Sequence, residues 1–383
     1  MRHFLACKLS AVIPAVLVLA VLAGCASRPG PDALRVSLEE APGTKEVSML
    51  IATTRARSSE PHELYSSKRS EVLDFGSATI SIPPNHEPGR IQWPSSPPGN
   101  PATDFVVRQA AYIDGKDAFR AQVNQELAKR SLEARKAVVF IHGYNTRFSE
   151  GVFRLAQMAA DAKERRLPIL FTWASAGSLT NYIYDTNSVA IARDGLQEVL
   201  LELTNSNATQ VTIIAHSLGN LLLLETLRQM ELQGIGLLKN KKVTVVMASP
   251  DIDIDVFKTM ITSLGYRANP VFVLVSRDDR ALRFSRRIAG GTARVGDVED
   301  DEILTQLGVV VIDLTDVESQ DAINHDKYAQ LAQFGPQLVK SLERGKANRS
   351  KQGIGGRVGK AGRSFSEFLG HTAKIVVSTP GAR

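Results

Sequence analysis

Cysteine is nearly absent from this chain of 383 residues, which carries two. Two cysteines cannot build a disulfide framework or a four-cysteine zinc site. Aromatic residues are sparse at 6%, and no apolar run reaches the roughly 20 residues that an ordinary membrane-spanning helix needs. The longest run, residues 9–23, has Ser10 and Pro14 as its only non-apolar members. Extremes of composition are missing too: 43% hydrophobic and 22% charged residues exclude a disordered or collagen-like chain and supply a real core. The length suits one large domain or two ordinary ones, and no repeat of 20 to 50 residues is visible.

The apolar run does have a purpose near the N-terminus. Arg2 and Lys8 precede it, and Leu22-Ala23-Gly24-Cys25 closes it, the layout of a cleaved export signal. Those four residues resemble a bacterial lipobox, in which the cysteine is acylated and becomes the new N-terminus. The competing readings are an uncleaved anchor helix, disfavoured by Pro14 and the short run, and a chance buried thiol. Cleavage at residue 24 removes Cys7, so Cys25 is the sole remaining cysteine and no structural disulfide can form. More than one acyl chain at Cys25 gives stable anchoring. Ala26 resembles the residue found after the cysteine in lipoproteins sent to an outer membrane. The expectation is therefore a lipid-anchored, extracytoplasmic protein, with residues 25–44, polar and rich in Pro and Gly, as its tether.

Beyond the tether, strand-like runs occur at 47–52, 78–82 and 105–113, in a loop-rich stretch containing Pro83-Pro84 and the prolines of 93–101. From residue 136 the pattern is regular. Apolar runs at 137–141, 169–173, 211–215, 243–248, 271–275 and 309–314 alternate with helical spacing at 148–162, ended by Pro168, at 189–203 and at 221–230. Near-continuous apolar strands alternating with helices predict an α/β fold with a mostly parallel sheet covered on both faces, one domain over residues 45–340. Residues 344–383 differ: basic residues from Arg344 to Lys374 meet a single acid, Glu367. The Gly-rich segment at 353–359 follows no strand and opens no helix, which rules out a phosphate loop, and a flexible basic tail is expected.

The chemistry centres on Ser217. The strand at 211–214 runs into Ala215-His216-Ser217-Leu218-Gly219 and then the helix at 221, so the serine sits at a sharp strand-to-helix turn flanked by small residues. Such a turn strains the serine, lifts its hydroxyl and places it at a helix N-terminus. The bland alternative is a serine that only caps the helix. Of the seven histidines, His216 is adjacent and expected to point elsewhere, and His371 lies in the tail. His325, about ten residues past the last strand, is the expected base, against the alternative of a surface residue capping a helix. The acid is expected at a strand end between them. Asp279 is chosen, with Asp278 as a cap or surface charge and Asp251 as the rival. Asp251, Asp253 and Asp255 lack the glycine and final acid of a calcium loop, so no metal is expected. His142-Gly143-Tyr144-Asn145 ends the strand at 137–141. Gly143 is expected to permit a tight turn, so that the backbone N–H groups of Tyr144 and Leu218 form an oxyanion hole. His142 is read as holding this loop, and Trp173 and Asp185 as residues that line the pocket, with packing and helix capping as equal alternatives.

Together with Phe171 to Gly177, Ser249 to Asp253 and Asp279 to Leu282, these motifs resemble one family over about residues 45–340. It is a bacterial branch of α/β-hydrolases of unknown function, described as esterase/lipase superfamily enzymes. The resemblance implies a Ser/Asp/His hydrolase without a cofactor and brings no agreed substrate. Asp278, the acidic stretch 297–302 and the tail depart from the pattern. The resulting expectation is a carboxylesterase acting on a small or lipid-like acyl ester, with membrane contact through Cys25, no nucleic-acid partner, and a small lid or none. Acyl transfer to an envelope acceptor by the same triad and a non-catalytic lipoprotein on this scaffold are the other classes.

Overall fold

The computed structural model describes residues 28–162, 165–264, 271–319 and 321–333. The expected export signal, Cys25 and the expected basic tail from 341 onward lie outside them. Nine strands form one sheet: β1 (Lys45–Arg57), β2 (Tyr65–Ile82), β3 (Val106–Ile113), β4 (Lys136–Ile141), β5 (Leu167–Thr172), β6 (Gln210–His216), β7 (Lys242–Ala248), β8 (Val271–Val275) and β9 (Val310–Asp313). Their spatial order is β3-β2-β1-β5-β4-β6-β7-β8-β9. The pairs β1–β2 and β2–β3 are antiparallel, and every pair from β1–β5 to β8–β9 is parallel.

The apolar strands read as continuous runs because both faces are covered. On β4, Ala137, Val139 and Ile141 enter one core and Val138 and Phe140 the other, as the two-residue period of a strand requires. The first core is closed by α1 (Gly115–Ala128), α3 (Tyr182–Thr204), α4 (Gly219–Leu232) and α5 (Ile254–Ser263). The second is closed by α2 (Phe148–Asp161) and by Tyr328. Two short helices, α6 (Arg280–Ile288) and α7 (Asp301–Gln306), lie between β8 and β9. This is the expected α/β architecture.

Several elements differ from expectation. The helix beginning near 148 ends at Asp161, and Pro168 lies inside β5 opposite Val138. Pro168, expected as a stop signal, instead sits in an interior strand paired with both β1 and β4. The loop-rich N-terminal stretch is a long β1–β2 hairpin. Its distal half is polar and half-exposed, so apolar runs could not reveal it. That half is held by Arg57, which pairs with Asp74 at 2.6 Å and lies 4.0 Å over the Tyr112 ring. Residues 28–44, read as tether, lie against the domain: Ala33 and Leu34 are buried, and Val36 bridges to Val107.

Candidate active site

Ser217 occupies the turn between β6 and α4 with φ of +52°, a left-handed conformation that a non-glycine residue adopts only under constraint. The constraint is visible. Its N–H donates to the Ala248 carbonyl at 2.9 Å, and Asn220 Nδ2 donates to the carbonyls of Ser217 and Ala248, both at 3.0 Å. A Cβ at Gly219 would lie 2.4 Å from the His142 carbonyl oxygen, so α4 can start here only if this residue has no side chain. Ala215 is fully buried between neighbouring strands. Small residues on both sides of the serine thus answer to crowding, as the motif implied.

The loop after β4 lies against this turn. Gly143 is needed for close approach rather than for a tight turn. Its φ is not positive, but a Cβ there would meet Ser217 Cβ at 2.8 Å and His216 Nδ1 at 2.9 Å. Asn145, at φ of +54°, makes the turn instead. Among the described residues, the N–H groups of Tyr144 and Leu218 donate to no protein acceptor, which leaves both for a ligand oxygen. His142 holds the loop: its ring bonds the Gly143 carbonyl at 2.9 Å and Thr172 Oγ1 at 2.8 Å and stacks on Trp173. Burial and the Arg55 charge lower its pKa to about 3, so it is neutral.

Two buried charged groups frame this loop: Arg55, missed in the sequence, and Asp185, singled out there as a lining, packing or capping residue. The Arg55 guanidinium donates to Thr172 Oγ1 at 2.9 Å and to the carbonyls of Ser66, Ser175 and Thr146 at 3.2, 3.1 and 2.8 Å. Burial lowers its pKa to about 10, yet it remains cationic at neutral pH. Asp185, fully buried, accepts from Ser175 Oγ at 2.6 Å, Ala176 N–H at 2.7 Å and Asn145 N–H at 3.1 Å. It is a brace between the loops after β4 and β5 rather than a pocket wall. The one hint for Arg55 is a charge inside the Thr53-Thr54-Arg55-Ala56-Arg57 end of a strand.

The acid and the histidine come together on the same sheet edge. Asp279 caps α6, accepting from Leu282 N–H at 3.0 Å through Oδ1, while Oδ2 lies 2.7 Å from His325 Nδ1. It has no exposed surface. The two rivals are engaged elsewhere. Asp251 accepts from Ser285 Oγ at 2.5 Å and Tyr182 Oη at 3.2 Å and pairs with Arg294 at 3.3 Å. Asp278 accepts from Ser276 Oγ at 2.6 Å, Asn324 Nδ2 at 2.8 Å and Lys327 Nζ at 2.7 Å. Burial opposes ionisation of Asp278, but these donors, led by Lys327, outweigh it and hold the carboxyl below its usual range.

Asp278 is therefore a clasp for the histidine loop, and the buried Lys327 that grips it was not anticipated. A second clasp is Arg154 of α2, 2.5 Å from Asp326. The Asp321 carboxylate accepts from the backbone N–H groups of His325 and Asp326, each at 3.1 Å. His216, expected to point elsewhere, packs beneath this loop: its ring lies 4.5 Å from that of His325 and 4.1 Å from that of Tyr328. Burial lowers the pKa of His216 well below the ordinary value, so it packs as a neutral ring. His325 behaves oppositely. Burial depresses its pKa, but Asp279, with Asp326 and Asp321 behind it, more than offsets this and raises it to about 9. Among the described residues, no hydrogen bond joins His325 Nε2 to Ser217 Oγ, and no group of three or more potential metal ligands occurs. A contact of that kind commonly tightens only when substrate is bound.

Two acids of the acidic stretch have cationic partners: Arg277 pairs with Asp301 at 2.8 Å, and Arg286 faces Asp297 at 3.7 Å. No helix of the described residues is long and apolar enough to cross a membrane. No curated protein and no solved structure matches the chain. One family model does, over residues 115–342, which leaves the β1–β3 region outside the match. That match covers more than half of the chain and includes Ser217, Asp279 and His325, so the chain belongs to the family described as "Alpha/beta hydrolase of unknown function (DUF900)".

Proposed function

We propose that this α/β hydrolase cleaves a carboxylic ester, or a related acyl bond, through an acyl-enzyme on Ser217, and that acylation of Cys25 holds it to an envelope membrane outside the cytoplasm. The observation that carries the catalytic reading is the 2.7 Å contact between Asp279 Oδ2 and His325 Nδ1, on the edge where strained Ser217 emerges.

Neutral His325 accepts the hydroxyl proton at Nε2 as Ser217 Oγ bonds to the acyl carbon. Asp279 fixes the Nδ1–H tautomer and stabilises the imidazolium that forms. The carbonyl oxygen, now an oxyanion, takes the N–H groups of Tyr144 and Leu218. As the tetrahedral intermediate collapses, the bond to the leaving oxygen breaks and His325 returns the proton to it. Water then attacks the acyl-enzyme by the same route, giving the acid and regenerating Ser217.

The test is labelling of the full chain with a fluorophosphonate probe, in wild type, Ser217→Ala and His325→Ala, with the adduct located by mass spectrometry. An adduct on Ser217 that depends on His325 is the expected result. Folded wild type that never labels would overturn the catalytic reading. The mass of the peptide beginning at residue 25 tests the anchor separately, because acyl chains on Cys25 add several hundred daltons, about 14 per methylene.

A further inference from the structure

Helix α6 does not descend along the sheet as the larger helices do. It leaves the carboxyl edge at Asp279, which touches His325, and the chain is back on that edge at Arg294, which pairs with Asp251 at 3.3 Å. Leu282 and Ser285 face inward, the latter bonded to Asp251 and Tyr182. Outward it presents Phe284 and Ile288, 52% and 50% exposed, with the exposed arginines 280, 283 and 287 and no acid in the helix.

Hydrogen bonds and ring packing link this helix to segments that carry other exposed apolar residues. Tyr182, joined to Ser285, is followed by Ile183 at 73% exposure. The Tyr144 ring packs edge-on to Tyr182, and its hydroxyl donates to the carbonyl of Leu179, which is 67% exposed. On the other side, the Arg280 N–H donates to the carbonyl of Ile323, at 46% exposure and two residues from His325. The rim thus carries an apolar arc interspersed with cations, around a serine that is itself 3% exposed. Short basic helices with exposed apolar residues suit the headgroup layer of an anionic bilayer, where apolar side chains enter the acyl boundary and arginines meet phosphate.

An independent observation places the N-terminal segment at the same rim. Arg28 donates to Glu150 at 2.7 and 2.6 Å, to the side chain and carbonyl of Asn145 at 2.9 and 2.8 Å, and to the Gly177 carbonyl at 3.2 Å. Asn145 adjoins Tyr144, and Gly177 lies two residues before Leu179. Cys25 precedes Arg28 by three positions in the sequence, a reach of at most roughly 10 Å for extended chain.

We propose that this rim is a bilayer-docking face: α6 and the 179–183 turn seat on an anionic lipid surface, and Ser217 takes acyl esters carried in that bilayer. The proposal deepens the function above and rests on its anchor and hydrolase readings. The full acylated protein, reconstituted in vesicles of phosphatidylcholine with about one-third phosphatidylglycerol, provides the test. Single cysteines replace Ile183 or Phe284 on the rim, or Lys129 or Lys239 at the opposite edge of the sheet, and carry a nitroxide label. The labels at 183 and 284 are expected to lose at least about tenfold in collision rate with a water-soluble relaxer and to gain contact with oxygen, while those at 129 and 239 stay water-exposed. Rim labels as exposed as the controls, on protein that carries acyl chains at Cys25, would overturn docking and leave the anchor reading intact. If Cys25 proves unmodified, the anchor reading fails and docking is judged by flotation of the same full chain with these vesicles. Flotation weakened at least about tenfold by Arg283→Glu/Arg287→Glu supports it, and absence of flotation overturns it. Probe labelling of Ser217 reports the catalytic reading independently in either case.

Discussion

Around Ser217 the backbone is fixed by the absence of room, with carbonyls and neighbouring strands pressed against residues that have little or no side chain. Around His325 it is fixed by charge: Lys327 grips Asp278, Arg154 grips Asp326, and the Asp321 carboxylate gathers two backbone N–H groups. Crowding leaves a dense, local signature in sequence, because only certain residues fit. A clasp between partners 49 or 172 positions apart leaves none. The difference also predicts how each side fails. The serine side should break outright when a methyl is added, and the histidine side should loosen in steps as its clasps are removed.

Asp279 belongs to both sides, as the cap of α6 and the partner of His325, so its charge should matter most. Asp279→Asn keeps the side chain's shape and the Leu282 cap but no longer fixes the tautomer or stabilises the imidazolium. A fall in kcat of about 10⁴-fold is expected, by analogy with the same change in serine proteases. Steady-state kinetics on a short-chain ester would check it, with Asp251→Asn as the contrast. That second change leaves Arg294 without its carboxylate and should cost stability, about 3 kcal/mol, with a much smaller loss of kcat. Equal losses of kcat would break the assignment of the acid.

Gly219→Ala tests crowding directly. The added Cβ would lie 2.4 Å from a backbone oxygen, which cannot rotate away, so the turn must move. Displacement of the nucleophile by about 1 Å is expected to lower kcat/KM by at least about 10²-fold, with a loss of stability from overpacking of about 1–3 kcal/mol. Gly30→Ala, where an added Cβ meets nothing within 4 Å, should change stability by less than about 0.5 kcal/mol. Thermal melts of the two variants side by side would decide whether glycine is kept at 219 for space.

On the histidine side, Lys327→Met removes the buried ammonium and keeps the bulk of the stem. Asp278 then retains Ser276 and Asn324, so the loop should stay folded but lose its tightest hold. A decrease of about tenfold in kcat/KM is expected, smaller than for Gly219→Ala, because an orienting partner is lost and not the reacting geometry itself. Amide hydrogen exchange at residues 321–328 should rise, with exchange in β6 unchanged. A uniform rise across the sheet would mean that the clasp supports the whole fold.

These contrasts explain what could be read from sequence. The parallel strands announced themselves because burial on both faces makes them apolar throughout, and the turn at Ser217 because Ala215 and Gly219 have no alternatives. Asp279 and His325, chosen on strand ends and chain order, lie 2.7 Å apart. The polar half of the β1–β2 hairpin was illegible because its strands turn charges to solvent. Arg55 and Lys327 were illegible because a buried charge looks like a surface charge until its partners are known. Gly143 was noticed for the wrong reason: a glycine admits both a turn and a close approach, and only the position of Ser217 Cβ tells them apart.

The finest distinction between the two sides is electrostatic. His325 must be neutral to accept a proton, yet its surroundings raise its pKa to about 9. At pH 7 roughly one molecule in a hundred then carries the neutral base, and kcat/KM should climb with pH, pass half its plateau near pH 9 and level above it. Folding runs the other way. A histidine whose folded pKa lies above its unfolded value contributes stability that is fully present below about pH 6.5 and is lost as pH rises through about 9. The enzyme should therefore gain activity over the window in which this contribution to Tm fades. Asp326→Asn removes one negative charge near the ring and leaves the Arg154 cation, and both changes favour neutral His325. The activity limb should move to lower pH by less than about one unit, giving a few-fold gain at pH 7 if the loop holds its place. The serine-side variant Gly219→Ala, by contrast, should lower the whole profile without moving its limb. An unshifted limb in Asp326→Asn would mean that Asp279 alone sets the charge state of His325 and that the outer carboxylates serve only to hold the loop.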